Sequence, residues 1–243
     1  MEGTGGNRAA IQPCVVALGG GGFLTEPDNP RLDNYILSLA RRNPPKICYV
    51  PTASGDSVYN ITRFYDTFTV ERCLPSHLRL FNRKIQDLRS LVLAQDIVYV
   101  GGGATTYMLA MWRLAGLEGV FREAWEQGVI LSGISAGALC WFDAGLTDTF
   151  GRPLQALRDG LGFLPGSFCP HYDGEKDRRP AFHAAVAGGS IPQGIAADDG
   201  VAVVYRGAEI AEIVSSRPAA RAWRVERTAE GVRETEIVPR YLD

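Results

Sequence analysis

"GVILSGISAGALCWF", residues 128–142, decides how this chain is read. An apolar, β-branched run leads into Ser135, and a short run of small, helix-tolerant residues follows it. Ser135 stands between Gly133 and Gly137 in the pattern Gly-x-Ser-x-Gly, at what reads as a sharp strand-to-helix corner. Glycines at such a corner let the turn approach neighbouring backbone, so the serine oxygen projects outward. The helix that follows leaves N–H groups unpaired, ready for an oxyanion. The competing reading is a glycine-rich turn with an idle serine. Strand before and helix after favour a nucleophile.

Working outward, the apolar runs "CVVALGGGGF" (14–23), "KICYVPTAS" (46–54), "DIVYVGGG" (96–103) and "VILSGIS" (129–135) predict strands. "SHLRLFN" (76–82) alternates and predicts another. Helical spacing predicts helices over 31–42, 58–70, 105–116 and 117–128. Strands alternating with helices imply a parallel sheet with right-handed crossovers, which binds ligands beyond the carboxyl ends of its strands. Gly19–Gly22, Gly101–Gly103 and Ser135 all fall at such ends. After Ser135 the pattern changes. Residues 152–174 are rich in Gly and Pro and promise short strands at most, and a helix is expected over 176–189. Residues 194–216 and 222–239 read as antiparallel strands, with "RGAE" and "TAEG" as turns.

The chain has 243 residues, which suits a single α/β domain over 12–243 after a loose tail over 1–11. Apolar residues make up 46%, charged residues 21%, and the net charge is −2. That is an ordinary soluble composition with no electrostatic case for nucleic acid or an anionic membrane. The five cysteines lack CxxC spacing and several sit in apolar runs. Buried reduced thiols suit the cytoplasm. The N-terminus has no signal-peptide h-region, and no apolar run approaches the ~18 residues of a membrane span.

A serine nucleophile needs a base, and only His77, His171 and His183 are available. His77 at a strand start and His183 on a helix of small residues read as ordinary packed or surface histidines. His171, in the loop "PGSFCPHYDGE", lies 36 residues after Ser135 and is placed as a general base. Between Ser135 and His171 the acids are Asp143, Asp148 and Asp159. Asp159 belongs to an Asp-Gly turn. Asp148, polar among apolar neighbours, ranks first as the orienting carboxylate and Asp143 second, and each reads equally well as a solvated or capping residue. The order Ser, Asp, His is that of α/β-hydrolases, but three residues packed into so short a span point to another fold with the same chemistry. The Gly101–Gly103 loop lacks the later glycine of GxGxxG, and "LGGGGFLTE" runs into "PDNP", which cannot open a helix directly. The Gly101–Gly103 loop reads either as a close backbone approach to the nucleophile, with one N–H facing the oxyanion, or equally well as a plain strand-end turn. Arg178 and Arg179 follow His171, where arginine could grip a carboxylate or only solvate a helix start.

Taken together, "ALGGGGF", "YVPTAS", "VYVGGGATTYML", "GISAGALCWF" and "LPGSFCPHYD" make residues 13–205 resemble the S51 peptidases, the family of dipeptidase E and cyanophycinase. The resemblance implies a three-layer α/β sandwich with a mostly parallel sheet, like the class I glutamine amidotransferases (flavodoxin-like), here with a C-terminal antiparallel extension. It implies a serine peptidase without metal or organic cofactor. Ser135 matches the nucleophile and His171 the base, while Ala136, Gly102 and Gly103 match the oxyanion donors. Dipeptidase E members cleave after an N-terminal aspartate and hold it partly with an arginine, for which Arg178 is nearest and Arg179 second. The expected activity is therefore hydrolysis of small peptides, dipeptides with N-terminal aspartate foremost, through an acyl-enzyme. The rivals are a cyanophycinase-like hydrolase of another aspartyl peptide and a non-catalytic small-molecule or regulatory protein on the same scaffold. A small peptide is the expected partner, with a homodimer left open.

Overall fold

The computed structural model describes residues 12–243, so the tail expected over 1–11 lies outside the described residues. The first half alternates. It runs β1 (Cys14–Leu18), a one-turn α1 (Gly22–Thr25), α2 (Arg31–Ser38), β2 (Lys46–Val50), α3 (Val58–Thr67), β3 (Leu74–His77), α4 (Leu88–Leu93) and β4 (Ile97–Val100). Then come α5 (Thr105–Ala115), α6 (Leu117–Glu126), β5 (Ile130–Ile134) and the short α7 (Ala136–Leu139). The second half is strand-rich. It comprises β6 (Phe142–Thr147), β7 (Gln155–Leu157), β8 (Leu164–Cys169), α8 (Arg178–Ala187), β9 (Gly194–Ala197), β10 (Val201–Arg206), β11 (Glu209–Ser215), β12 (Ala222–Thr228), β13 (Gly231–Ile237) and β14 (Arg240–Tyr241).

Two sheets result. The first has the order β14-β11-β10-β1-β5-β4-β2-β3, and its strands β1, β5, β4, β2 and β3 run parallel. Their apolar runs are continuous because both faces are covered. Val16, Leu18, Tyr49 and Tyr99 pack on one side with Leu32 and Ile36 of α2 and Phe64 of α3. Val15, Ala17, Val98 and Leu131 pack on the other with Met108 and Trp112 of α5 and Phe121 of α6. Helices, sheet and helices are the expected three layers. The second sheet has the order β13-β12-β9-β8-β6-β7, with Tyr172, Phe182 and Val186 in the core between it and α8. All five cysteines are buried and unbridged. No helix among the described residues is long and apolar enough to cross a membrane.

Several local expectations shift. The strand read over 76–82 is Leu74–His77, because the chain leaves the sheet once Tyr49 O has accepted Leu78 N–H. The glycine loop after β1 does open a helix, of a single turn, before the prolines stop it. The antiparallel extension is present as β10–β11 and β12–β13, but β6, β8 and β9 are parallel to one another. Their parallel pairing was hidden because strands of four to six residues interrupted by Gly and Pro carry little period-2 signal.

Strand order explains where the loops meet. β1, β5 and β4 are neighbours, so the loops leaving their carboxyl ends lie side by side: Gly19–Gly22, Ser135 and Gly101–Gly103. β10 runs antiparallel to β1, with Ala202 opposite Leu18, so the residues just before β10 arrive at the same end. In the second sheet Cys169 of β8 pairs with Ala196 of β9 in parallel, which brings the residues just past each strand together. Those residues are His171 and Asp199.

Candidate active site

Ser135 is the hinge between β5 and α7, with φ 56° and ψ −116°. A non-glycine residue in this region is strained and persists only when its surroundings fix it. Here Ser135 N–H donates to Leu18 O at 3.2 Å, and Ser135 O accepts from Leu139 N at 2.9 Å. The flanking glycines are required by space. A Cβ on Gly133 would collide with the carbonyl of Gly137, and one on Gly137 with the carbonyl of Val100. The Gly-x-Ser-x-Gly pattern therefore records three backbone segments packed too closely for side chains, leaving Ser135 to point into an open cleft of about 280 Å³. Leu24, Thr25, Asn60, Gly102, Gly103, Ile134, Ser135 and His171 line it.

His171 also has positive φ, 54°. Its N–H donates to Gly19 O at 3.0 Å, which ties the histidine loop to the loop after β1. Its Nδ1 lies 2.6 Å from Asp199 Oδ1. The carboxylate accepts, so Nδ1 carries the proton and Nε2 is left to act as a base. Burial alone would raise the Asp199 carboxyl, but the hydrogen bond and charge of His171, with Arg217 and Arg178 beyond, hold it below the ordinary carboxylate range. Asp199 is itself fixed: its N–H donates to Asp173 Oδ1 at 2.8 Å, and Gly200 N–H donates to Gly20 O at 3.1 Å.

The carboxylate is where the sequence expectation fails. Asp148 lies beside Arg178, 3.7 Å from its Nη2, and Asp143 accepts Gly166 N–H at 2.9 Å. Neither is paired with His171. The chain order is Ser135, His171, Asp199, so the carboxylate lies beyond the histidine and outside the interval to which the order Ser, Asp, His would confine it. Its signal was the pair of aspartates before a glycine in "AADDG", between two strands at the end where the other loops gather.

The two arginines sit apart from this cleft. Arg178 is 3% exposed and forks onto both oxygens of Glu175, at 3.1 and 3.2 Å. Arg179 pairs with Glu234 and lies over the Trp223 ring, 4.4 Å from its centroid. Neither lines the cleft, and each is paired with a carboxylate of this chain. His183 is bound to Glu234 at 2.8 Å and His77 to Tyr65 at 2.8 Å.

Backbone donors complete the cleft. Gly102 is close enough that a Cβ on it would be 3.2 Å from Ser135 Cβ. The preceding and following residues are committed, with Gly101 N–H donating to Val50 O and Ala104 N–H to Ala53 O. Among the described residues the N–H groups of Gly102, Gly103 and Ala136 have no backbone acceptor. These are free donors beside the serine, as an oxyanion site requires.

A serine elbow on a mostly parallel sheet, sharing its cleft with a histidine whose Nδ1 meets a carboxylate, is the set of groups that hydrolases on α/β sheets use. Comparison with known proteins narrows this. The family model "Peptidase family S51" matches residues 15–213, and the chain belongs to that family. It is 50% identical over 228 residues to "Uncharacterized peptidase YgaJ" of Bacillus subtilis (strain 168), covering 94% of this chain and 98% of that protein. Two solved structures share the fold. One is a peptidase from an acI-B1 Actinobacterium, with TM-score 0.64, 18% identity and coverage of 95% of this chain and 96% of that one. The other is a putative peptidase E protein from Listeria monocytogenes EGD-e, with TM-score 0.60, 14% identity and coverage of 93% and 99%.

Proposed function

We propose that this peptidase is of the serine type and cleaves short peptides through Ser135, His171 and Asp199. The observation that carries the reading is the His171–Asp199 pair, 2.6 Å apart, on the cleft that Ser135 also lines. His171 Nε2 takes the proton of Ser135 Oγ as that oxygen attacks the scissile carbonyl. The N–H groups of Ala136 and of Gly102 or Gly103 hold the oxyanion. Collapse of the tetrahedral intermediate breaks the C–N bond, and His171 returns the proton to the leaving amine. Water, deprotonated by His171, then releases the acyl group from Ser135. Asp199 keeps the histidine in the tautomer and orientation these steps need, and it stabilises the imidazolium formed in them. The narrower aspartate preference implied by the family resemblance lacks support from Arg178 and Arg179, whose charges are already paired.

The test is a dipeptide-library hydrolysis assay with Ser135→Ala as control, together with labelling by a serine-directed fluorophosphonate. The reading expects hydrolysis and labelling that both vanish in Ser135→Ala. Parent-level cleavage by Ser135→Ala would remove Ser135 from the chemistry. A folded protein that neither cleaves nor labels would favour the non-catalytic alternative.

A further inference from the structure

The side chains around the cleft restrict what can enter it. Apart from Ser135 and His171, two polar side chains line the space: Thr25 and Asn60. Thr25 has its proton committed, because its Oγ1 donates to Gly21 O at 3.0 Å and accepts Gly21 N–H at 2.7 Å. Asn60 is differently placed. Its backbone N–H is engaged at the start of α3 by Ser57 Oγ, at 3.3 Å, while its carboxamide sits beside the buried Tyr49 hydroxyl and, with two donors and an acceptor oxygen, keeps hydrogen-bonding capacity toward the cleft. Leu24 and Ile134 supply the apolar lining.

Among the described residues no lysine or arginine lines the cleft. The cations nearby are committed. Arg63, one turn on from Asn60 along α3, donates to Phe23 O and to Tyr59 OH, each at 3.2 Å. Arg178 is enclosed with Glu175. The charge closest to the histidine is negative, from Asp199. An acidic side chain entering here would lose its hydration beside a carboxylate, with no cation to compensate. An uncharged side chain meets no such penalty, and a polar uncharged one finds the Asn60 carboxamide.

We infer that the cleft selects a peptide whose residue on the acyl side of the cleaved bond is uncharged, and that Asn60 is a specificity-determining residue for it. This rests on the peptidase reading above and deepens it by naming the substrate class. A neutral carboxamide discriminates against charge without disturbing His171, since it adds no charge of its own.

The experiment compares Asn-Leu with Asp-Leu, two dipeptides of the same shape that differ by one charge, using the full chain at pH 7.5. The expected result is a kcat/KM at least tenfold higher for Asn-Leu. Equal or faster cleavage of Asp-Leu, abolished by Ser135→Ala, overturns the substrate class and leaves the peptidase reading standing. Cleavage of Asn-Leu that survives Ser135→Ala overturns the peptidase reading itself. Cleavage of neither dipeptide overturns the substrate class, and fluorophosphonate labelling of Ser135 then reports separately on the nucleophile. In Asn60→Lys the ratio should swing at least tenfold toward Asp-Leu, and an unchanged ratio removes Asn60 from specificity. Asn60 is half-buried on a surface helix, and the thermal melt of Asn60→Lys verifies that the variant is folded.

Discussion

Replacing Asp199 by asparagine tests the assignment of the carboxylate most sharply. The substitution keeps size and shape but removes the charge that faces the imidazolium. With the ring and carboxylate charges about 4 Å apart, an effective dielectric of about 20 gives an interaction of about 4 kcal/mol. The pair is mostly shielded, with side chains 17% and 23% exposed, so little of this is lost to solvent screening. An energy of about 4 kcal/mol is roughly a thousandfold in rate. Asparagine can also donate to Nδ1, which favours the tautomer with its proton on Nε2 and removes the base, so the loss should reach about 10⁴ in kcat. The assay is steady-state dipeptide hydrolysis for Asp199→Asn, Asp148→Asn and Asp143→Asn, with the rate of fluorophosphonate labelling as a second readout. The last two variants should stay within about tenfold of the parent. A nearly unchanged Asp199→Asn beside a thousandfold loss in Asp148→Asn would refute the reasoning, because it would mean that the carboxylate at 2.6 Å is not the one that orients the base.

Gly20→Ala should lower kcat by at least about a hundredfold, measured in the same assay, because its Cβ would fall on Asp199 Oδ1 and 3.1 Å from His171 Nδ1. Arg178→Ala should act on stability first: removing one partner of a buried ion pair costs about 3–5 kcal/mol, read as a lower denaturation midpoint. Had Arg178 been a substrate clamp, KM would rise with the midpoint unchanged. Asp33 is 1% exposed and is pushed by burial up to about 7, with the charge of Arg72 and the backbone N–H of Phe23 pulling the other way. Its folded form keeps a proton that the unfolded chain loses near the ordinary value of 3.8, so stability should fall as pH rises from about 4 to about 7 and then level off. The gap between those values sets a ceiling of about 4 kcal/mol. Asp33→Asn should flatten that part of the profile in pH-dependent melts, and an unchanged slope would reject it.

The parallel half was legible because its strands are buried on both faces and its loops end in glycine. Ser135 was legible for the same reason: Gly133 and Gly137 mark backbone crowding that any chain must satisfy with glycine. His171 could be placed because the chain offers so few histidines. Asp199 could not, since a carboxylate is recognised by what it faces, and the pairing of β8 with β9 that brings it to His171 joins residues 28 apart. Arg178 and Arg179 failed for a related reason. An arginine looks free in sequence until its carboxylate is found, and Glu234, the partner of Arg179, lies 55 residues further on. In the second sheet β6 and its parallel pairing with β8 were not legible, because Gly and Pro interrupt these short runs.

The serine and its backbone donors stand on loops of the first sheet, while His171 and Asp199 leave strands of the second. The candidate machinery thus spans a seam, held by the bonds His171 N–H to Gly19 O and Gly200 N–H to Gly20 O. The two sheets also share one apolar core, with Val15, Ala17 and Val203 of the first in the same cluster as Phe142, Leu164 and Phe168 of the second, so a shear that separates base from nucleophile must repack that core. Turnover on such a scaffold is a gauge of how well its two sheets are docked.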